Sequence, residues 1–178
     1  MVADTNSSQH PRDRLIAAAM AMFHAHGYHS VGVQTLCEQA EVAKGSFYHF
    51  FESKEELTIA AVQEAWDRFK ATVILPSMAM GGTAEERVRG IRRGCLDPSP
   101  HSEAEDELPH GCVFGRLAAG LTDGEPQLRV VLGRVFGEWA QLMATAADRD
   151  LRGGWAILAD IQGRLVLSLA VDGASVAS

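Results

Sequence analysis

Between positions 44 and 54 the sequence reads KGSFYHFFESK, and its polar side chains suit holding an anion better than breaking a bond. Lys44, Ser46, Tyr48, His49 and Lys54 are all hydrogen-bond donors. Gly45 among them lets a backbone come close to another molecule. Gln34 and Thr35 add an amide and a hydroxyl a few residues upstream. Donors gathered at a helix start, where unpaired amides also favour negative charge, fit a phosphate. An enzyme is not expected: the chain has no nucleophile elbow, phosphate loop, zinc-type spacing or paired carboxylates in a plausible cleft. No catalytic residue, metal or cofactor is therefore assigned. Cys95, His110 and Cys112 have no recognised ligand spacing.

The elements that must position these donors are short and helical. From Arg12 to His26 the apolar residues Leu15, Ala18, Ala19, Met22 and Phe23 recur at helical spacing, and Gly27 stands where a left-handed cap is cheapest. Val33, Leu36, Cys37 and Ala40 share one side of a segment that Gly32 or Ser30 can cap. Glu41-Val42-Ala43 breaks the pattern, and a second short helix runs from Lys44 to about Phe51. Two short helices joined by a three-residue turn, with a valine in the turn facing inward, outline a helix-turn-helix. Phe47 and Phe50 alternate inward and pack this unit.

Ser53 to Glu56 reads as a capping box. Leu57, Ala61, Trp66, Phe69 and Val73 then carry one long helix to Pro76, with a linker over 77–82. A second capping box, Thr83 to Glu86, starts a helix through about Leu96. Residues 97–110, rich in proline and acid, read as an exposed loop. Gly111 to Leu121 is a short apolar helix, and Pro126 opens another with Leu128, Val131, Leu132, Val135, Trp139, Leu142, Met143 and Ala146 in a regular stripe. The last helix, about Gly154 to Val171, is apolar nearly all round, which implies burial in the core or against a second subunit. No strand signals or repeats appear, so the fold class is all-α.

With 178 residues, 47% hydrophobic and 22% charged, the chain is an ordinary globular protein of one domain or two small ones sharing a core. No apolar run reaches the length of a membrane span, so no membrane partner is expected. The polar start, MVADTNSSQH, is no secretory signal and reads as a frayed arm. Three widely spaced cysteines, Cys37, Cys95 and Cys112, fit a reducing cytoplasm. The charge balance opposes a nucleic-acid role. Net charge is −7, and residues 1–70 hold six Lys/Arg against nine Asp/Glu, a net of −3, where such proteins carry a basic face.

The case for DNA rests on register instead. The run from Gly27 to Leu57, GYHSVGVQTLCEQAEVAKGSFYHFFESKEEL, resembles the DNA-binding segment of the TetR/AcrR family. The matching positions are Gly27, Tyr28, Val33, Leu36, Ala40, Val42, Lys44 to Phe50, Ser53 to Glu55 and Leu57. More faintly, His110 to Ala118 resembles the Gly-Cys-x-x-Gly-x-Leu-Ala element of one subgroup, and Ile157 to Val171 its penultimate helix.

The resemblance implies a flexible arm over 1–11, a three-helix head with the helix-turn-helix over 12–58, and a long helix leading into a ligand-binding and dimerisation body over 59–178. It implies a repressor that grips a palindromic double-stranded DNA operator as a homodimer and is released by a small-molecule effector. In that geometry Lys54 and Tyr48 hold phosphates, Lys44 or Ser46 reach base edges, and Gln34 and Thr35 add contacts. His49 is a phosphate contact or a plain surface histidine. Cys112, Phe114, Trp139, Leu142 and Gln162 are the effector candidates, with ordinary core packing as the alternative for Phe114 and Trp139. Gln162, an amide on an apolar helix, needs a partner from a ligand, another chain or a backbone group. Cys112 as a redox or electrophile sensor is a lesser reading, since apolar surroundings raise a thiol's pKa.

Three positions depart from the family pattern. Glu41 stands where a turn glycine is usual, at a cost of about 1 kcal/mol if left-handed. The connection 147–154 is short, and only Gly173 to Ser178 remain where a final helix is expected. The acidic balance, Glu41 and the missing last helix suggest the rival class, a helical ligand-binding or adaptor protein whose DNA head has lost function.

Overall fold

The structure, a computed structural model, describes residues 10–96 and 112–168. The regular elements among them are all helical. In order they are α1 (Pro11–His26), α2 (Val33–Gln39), α3 (Lys44–Phe50), α4 (Lys54–Phe69), a π-helical turn (Lys70–Ile74), α5 (Leu75–Ala79), α6 (Ala84–Leu96), α7 (Val113–Ala119), α8 (Pro126–Ala146) and α9 (Leu151–Leu167). The all-α class read from periodicity is the one adopted. No helix of the described residues is long and apolar enough to cross a membrane. Of the arm expected over 1–11, His10 caps α1 and Pro11 already belongs to it; its residues 1–9, the loop at 97–110 and the segment past Ser168 lie outside the described residues.

Local signals set the ends of the first helix. His10 Nδ1 accepts from the Arg12 amide at 3.3 Å, and Pro11 occupies a first-turn position where its missing N–H costs nothing. Gly27, at φ 78°, ends α1 with its N–H on the Phe23 carbonyl at 2.9 Å. Leu15, Ala19 and Phe23 along the inner face are fully buried, which stabilises by about 1.5–3 kcal/mol for each large side chain. Leu36, Val42, Phe47, Phe51 and Leu57 close the same core, so the valine of the turn does face inward.

The long helix differs from expectation at its far end. It passes Pro76 and runs on to Ala79, so only Met80 to Thr83 link it to α6. Proline lacks an N–H and its ring crowds the carbonyl four residues back. The chain meets this by widening into a π turn just before it, in which the Leu75 N–H bonds to the Lys70 carbonyl five residues earlier. Gly81 and Gly82, at φ 72° and 93°, then reverse the chain. The Thr83–Glu86 box is reciprocal: Glu86 N–H donates to Thr83 Oγ1 at 3.3 Å, and Thr83 N–H to Glu86 Oε2 at 2.7 Å. At the start of α4 the Glu56 amide donates to Ser53 Oγ at 3.1 Å, while the Glu56 carboxylate accepts from Glu52 rather than Ser53.

In the body, α8 packs on α4 and on α9. A side chain at Gly154 would collide with the Ala140 carbonyl, so this glycine sets how closely α9 crosses α8. Trp66, Phe69, Phe114, Phe136 and Trp139 form an aromatic cluster with centroid separations from 5.0 to 6.5 Å. The last helix begins three residues earlier than expected, capped by Asp150 Oδ1 on the Gly153 amide at 2.9 Å. It is not buried all round within the chain. Leu158, Ile161 and Leu165 face the core, while Leu151, Trp155, Val166 and Leu167 stay exposed.

Candidate nucleic-acid interface

The helix-turn-helix depends on one strained residue and two clamps. Glu41 sits at φ 53°, in the left-handed region, so the turn does use the conformation for which glycine is favoured. Arg14 of α1 holds the carbonyl of this residue from 27 positions away, Nη2 to O at 3.1 Å. On the other side Lys54 Nζ donates to the carbonyls of Tyr28 and Val31, both at 3.1 Å, and lies 4.0 Å from the Tyr28 ring centroid. Burial pushes the Lys54 ammonium down, with Glu125 opposing. Burial, with Glu125 and then Glu55, pushes the Tyr28 phenol up to about 12.

Within that frame α2 and α3 sort their side chains by face. Phe47 is fully buried and Phe50 half-buried, its ring edge-on to His10 at 5.3 Å. Gln34, Thr35, Lys44, Gly45, Ser46, Tyr48 and His49 are all exposed. Tyr48 is 55% exposed and stands edge-on to the buried Phe47 ring at 5.1 Å. Neither α2 nor α3 has a side chain capping its first turn. Gln34 Nε2 donates to Glu38 Oε1 at 2.9 Å on its own helix, so its amide starts out engaged.

Gly45 is informative by elimination. Its φ is not in the left-handed region, and a Cβ added there would meet nothing within 4 Å. Neither conformation nor packing inside the chain requires glycine at this helix position. Lys54 is placed differently from the other sequence candidates: it is half-buried and committed to two carbonyls.

The head meets the body through contacts that the sequence did not signal. Glu55 Oε1 accepts from the Leu128 amide at the start of α8, at 2.8 Å. His29 Nε2 stands 3.8 Å from Glu125 Oε2, which also accepts from the Thr122 amide and hydroxyl at 3.0 and 2.9 Å. Within the body, Glu138 of α8 receives the Trp66 indole N–H at 2.6 Å and the Lys70 ammonium at 2.9 Å. The Thr122 backbone N–H holds Glu125, and the Trp66 indole and then Lys70 hold Glu138, below the ordinary carboxylate range.

Of the body candidates, Phe114 and Trp139 are buried in the aromatic cluster, and Leu142 and Gln162 are half-buried. Trp139 Nε1 and Gln162 Nε2 are buried with no hydrogen-bond partner. The Gln162 amide lies beside Gly115 and the Cys112 thiol. Burial pushes the Cys112 thiol up, and burial with Cys112 nearby pushes Cys95 up to about 12. Both therefore stay protonated, which lowers their reactivity.

A sequence profile for bacterial regulatory proteins of the tetR family matches residues 15–61. The HTH-type transcriptional repressor KstR of Mycolicibacterium smegmatis is 30% identical over 168 residues, spanning 79% of this chain and 82% of that protein. The fold of SCO4454, a TetR-family transcriptional regulator from Streptomyces coelicolor, superposes with a TM-score of 0.79 at 20% identity, over 98% of this chain and 90% of the other. A cysteine mutant of the TetR-family regulator CifR, in a structure that includes 26-base-pair double-strand operator DNA, gives 0.77 at 22% identity, over 93% and 91%.

Proposed function

The chain belongs to the TetR family of bacterial regulatory proteins, and on that premise we propose that it is a repressor binding a palindromic operator as a homodimer and released by a small-molecule effector. The observation that carries the DNA reading is the sorting of α2 and α3. Seven polar or glycine positions share the exposed side while Leu36, Val42 and Phe47 between them are buried. Lys44, Ser46, Tyr48 and His49, with Gln34 and Thr35, are the donors offered to the duplex, Tyr48 to phosphate and Lys44 or Ser46 to base edges. Gly45 lets the backbone of α3 approach. Lys54 acts one step back, as a positioning residue that fixes α4 against the loop between α1 and α2.

The dimer is supported by the outer side of α9, where Leu151, Trp155 and Val166 are exposed at helical spacing; Val130 of α8 is exposed as well. A self-complementary patch of this kind suits a two-fold partner, which would set two recognition helices roughly 34 Å apart, one DNA turn. Release needs an effector with different affinity for two head spacings. Trp139 Nε1 and Gln162 Nε2, with Phe114 beside the first and Cys112 beside the second, are the groups a ligand in the body would satisfy, and Leu142 is a further candidate to line its site.

Lys44→Ala and Tyr48→Ala test the DNA reading. In a shift assay at fixed salt, each weakens operator binding about tenfold or more while the circular dichroism of the folded chain is unchanged. Unchanged affinity in both would rule the reading out. Few cations face the duplex, so each half-site also has a shallow salt dependence.

A further inference from the structure

We propose that a groove between α6 and the turn joining α8 to α9 is a binding site for small organic carboxylates that carry an apolar body. The groove has a volume of about 560 Å³, within the range of ligand sites. Arg89 and Arg92 of α6 and Arg149 of the turn line it, against the single carboxylate of Glu85. Arg89 Nη2 is paired with Glu85 at 3.3 Å and Arg92 with Asp160 beside the groove, so three guanidiniums stand against two carboxylates, a net positive site in a chain whose net charge is −7. Val88 and Ile157 supply an apolar wall. Guanidinium forks beside an aliphatic surface match a carboxylate with a hydrocarbon body.

Two of these arginines have unused capacity. The Arg149 guanidinium makes no ion pair or hydrogen bond among the described residues; its stem lies over Gly153 and its amide donates to the Ala144 carbonyl at 2.9 Å. The residue follows Asp148, a non-glycine held at φ 52° while Arg87 Nη2 grips its carboxylate at 2.8 Å. Such a conformation persists only where its surroundings enforce it, and here it sets the course of the chain at Arg149. Arg92 Nη2 lies 2.8 Å from Asp160 Oδ2, yet the pair is misaligned: Arg92 Nε and Asp160 Oδ2 are both buried without a hydrogen bond. Asp160 is shared with Arg164, Nε to Oδ1 at 3.3 Å. An incoming carboxylate would complete Arg92 and leave Asp160 to Arg164.

The groove lies apart from the aromatic cluster and the Gln162 amide, so it goes beyond the effector reading above. The groove residues 85, 88, 89 and 92 lie along one side of α6. From another side of the helix, Gly90 and Gly94 approach the long helix so closely that added side chains would press on Ser77 and Val73. A ligand wedged on one side of α6 would therefore bear on the helix that carries the head.

Isothermal titration of the full chain without DNA, using sodium butanoate, octanoate and benzoate, tests the proposal. Octanoate is expected to bind one per chain, with 1-octanol at least tenfold weaker. Arg149→Gln, which removes no ion pair or side-chain hydrogen bond, weakens octanoate at least tenfold, and Arg92→Gln does so too if its far-ultraviolet spectrum stays native. No heat from any acid up to about 10 mM would overturn the proposal. So would octanol matching octanoate, or Arg149→Gln binding like the parent. Loss of binding in Gln162→Leu with Arg149→Gln unaffected would move the ligand into the core and equally overturn it. The titration contains no DNA, so its failure leaves the operator reading standing, and a failed operator assay leaves the groove standing.

Discussion

Replacing Gly45 with alanine should move stability and DNA binding in opposite directions. The added methyl meets no atom within 4 Å and no positive φ, so the folded chain accepts it without strain. Alanine in a helix is favoured over glycine by about 0.5–1 kcal/mol, with the low end apt for a residue so near the start of α3. For a chain of this size that is a rise in melting temperature of roughly 1–4 °C. On DNA the same methyl occupies the space through which the backbone of α3 approaches. A tenfold loss per half-site corresponds to about 1.4 kcal/mol, and two heads on one operator double it in free energy, to about a hundredfold. The assay is a pair of measurements on one preparation, calorimetric melting and fluorescence anisotropy on labelled operator at fixed salt. A lower melting temperature would show that the space is not open. Unchanged affinity would refute close backbone approach as the reason for glycine.

The remaining expectations concern the turn, the clamp and the joint between head and body. Glu41→Gly removes the left-handed penalty but adds unfolded-chain entropy, so chemical denaturation should show a net gain of between about 0 and 1 kcal/mol; a clear loss would mean that Glu41 has a role beyond its backbone. Lys54→Ala leaves the Tyr28 and Val31 carbonyls without their donor and should cost about 1–3 kcal/mol by urea unfolding. Operator affinity of the still-folded fraction should be reduced less than in Tyr48→Ala, and the reverse order would make Lys54 a direct contact. Glu125 and Glu138 have folded pKa values below the ordinary 4.5, so the unfolded chain takes up protons first. Their contribution is present above pH 4.5 and is lost as pH falls through the folded values. Glu125→Gln and Glu138→Gln should each flatten the acid limb of the melting profile, and an unaltered limb would show that neither carboxylate stabilises the folded chain.

What could be read in the sequence was what short-range chemistry decides. Gly27, Ser53, Pro126 and the Thr83–Glu86 box act within a few residues of themselves, so helix ends near them fall where expected. The left-handed turn at Glu41 was legible for the same reason, as a local exception to a local rule. Pro76 misled because its cost depends on what precedes it: the π turn over Lys70–Ile74 absorbs the ring and lets the helix continue. The clamps were invisible. Arg14 reaches Glu41, Lys54 reaches Tyr28 and Val31, and Glu55 reaches the Leu128 amide. Each pairs a common charged side chain with a distant backbone group, and no spacing marks it. Lys54 illustrates the consequence, since a lysine beside a DNA-contacting motif is also the right residue to bind two carbonyls. The last helix was apolar on both sides for two different reasons, one side meeting the core and the other left exposed on the single chain.

The most direct test of the central claim is a footprint of the purified chain on the DNA upstream of its own gene. Protection of two symmetric half-sites with centres about one helical turn apart, present at moderate salt and lost in Tyr48→Ala, is the predicted result. No protection at any salt from about 50 to 200 mM, by a chain that melts cooperatively, would contradict it and leave a folded helical protein whose head does not hold DNA.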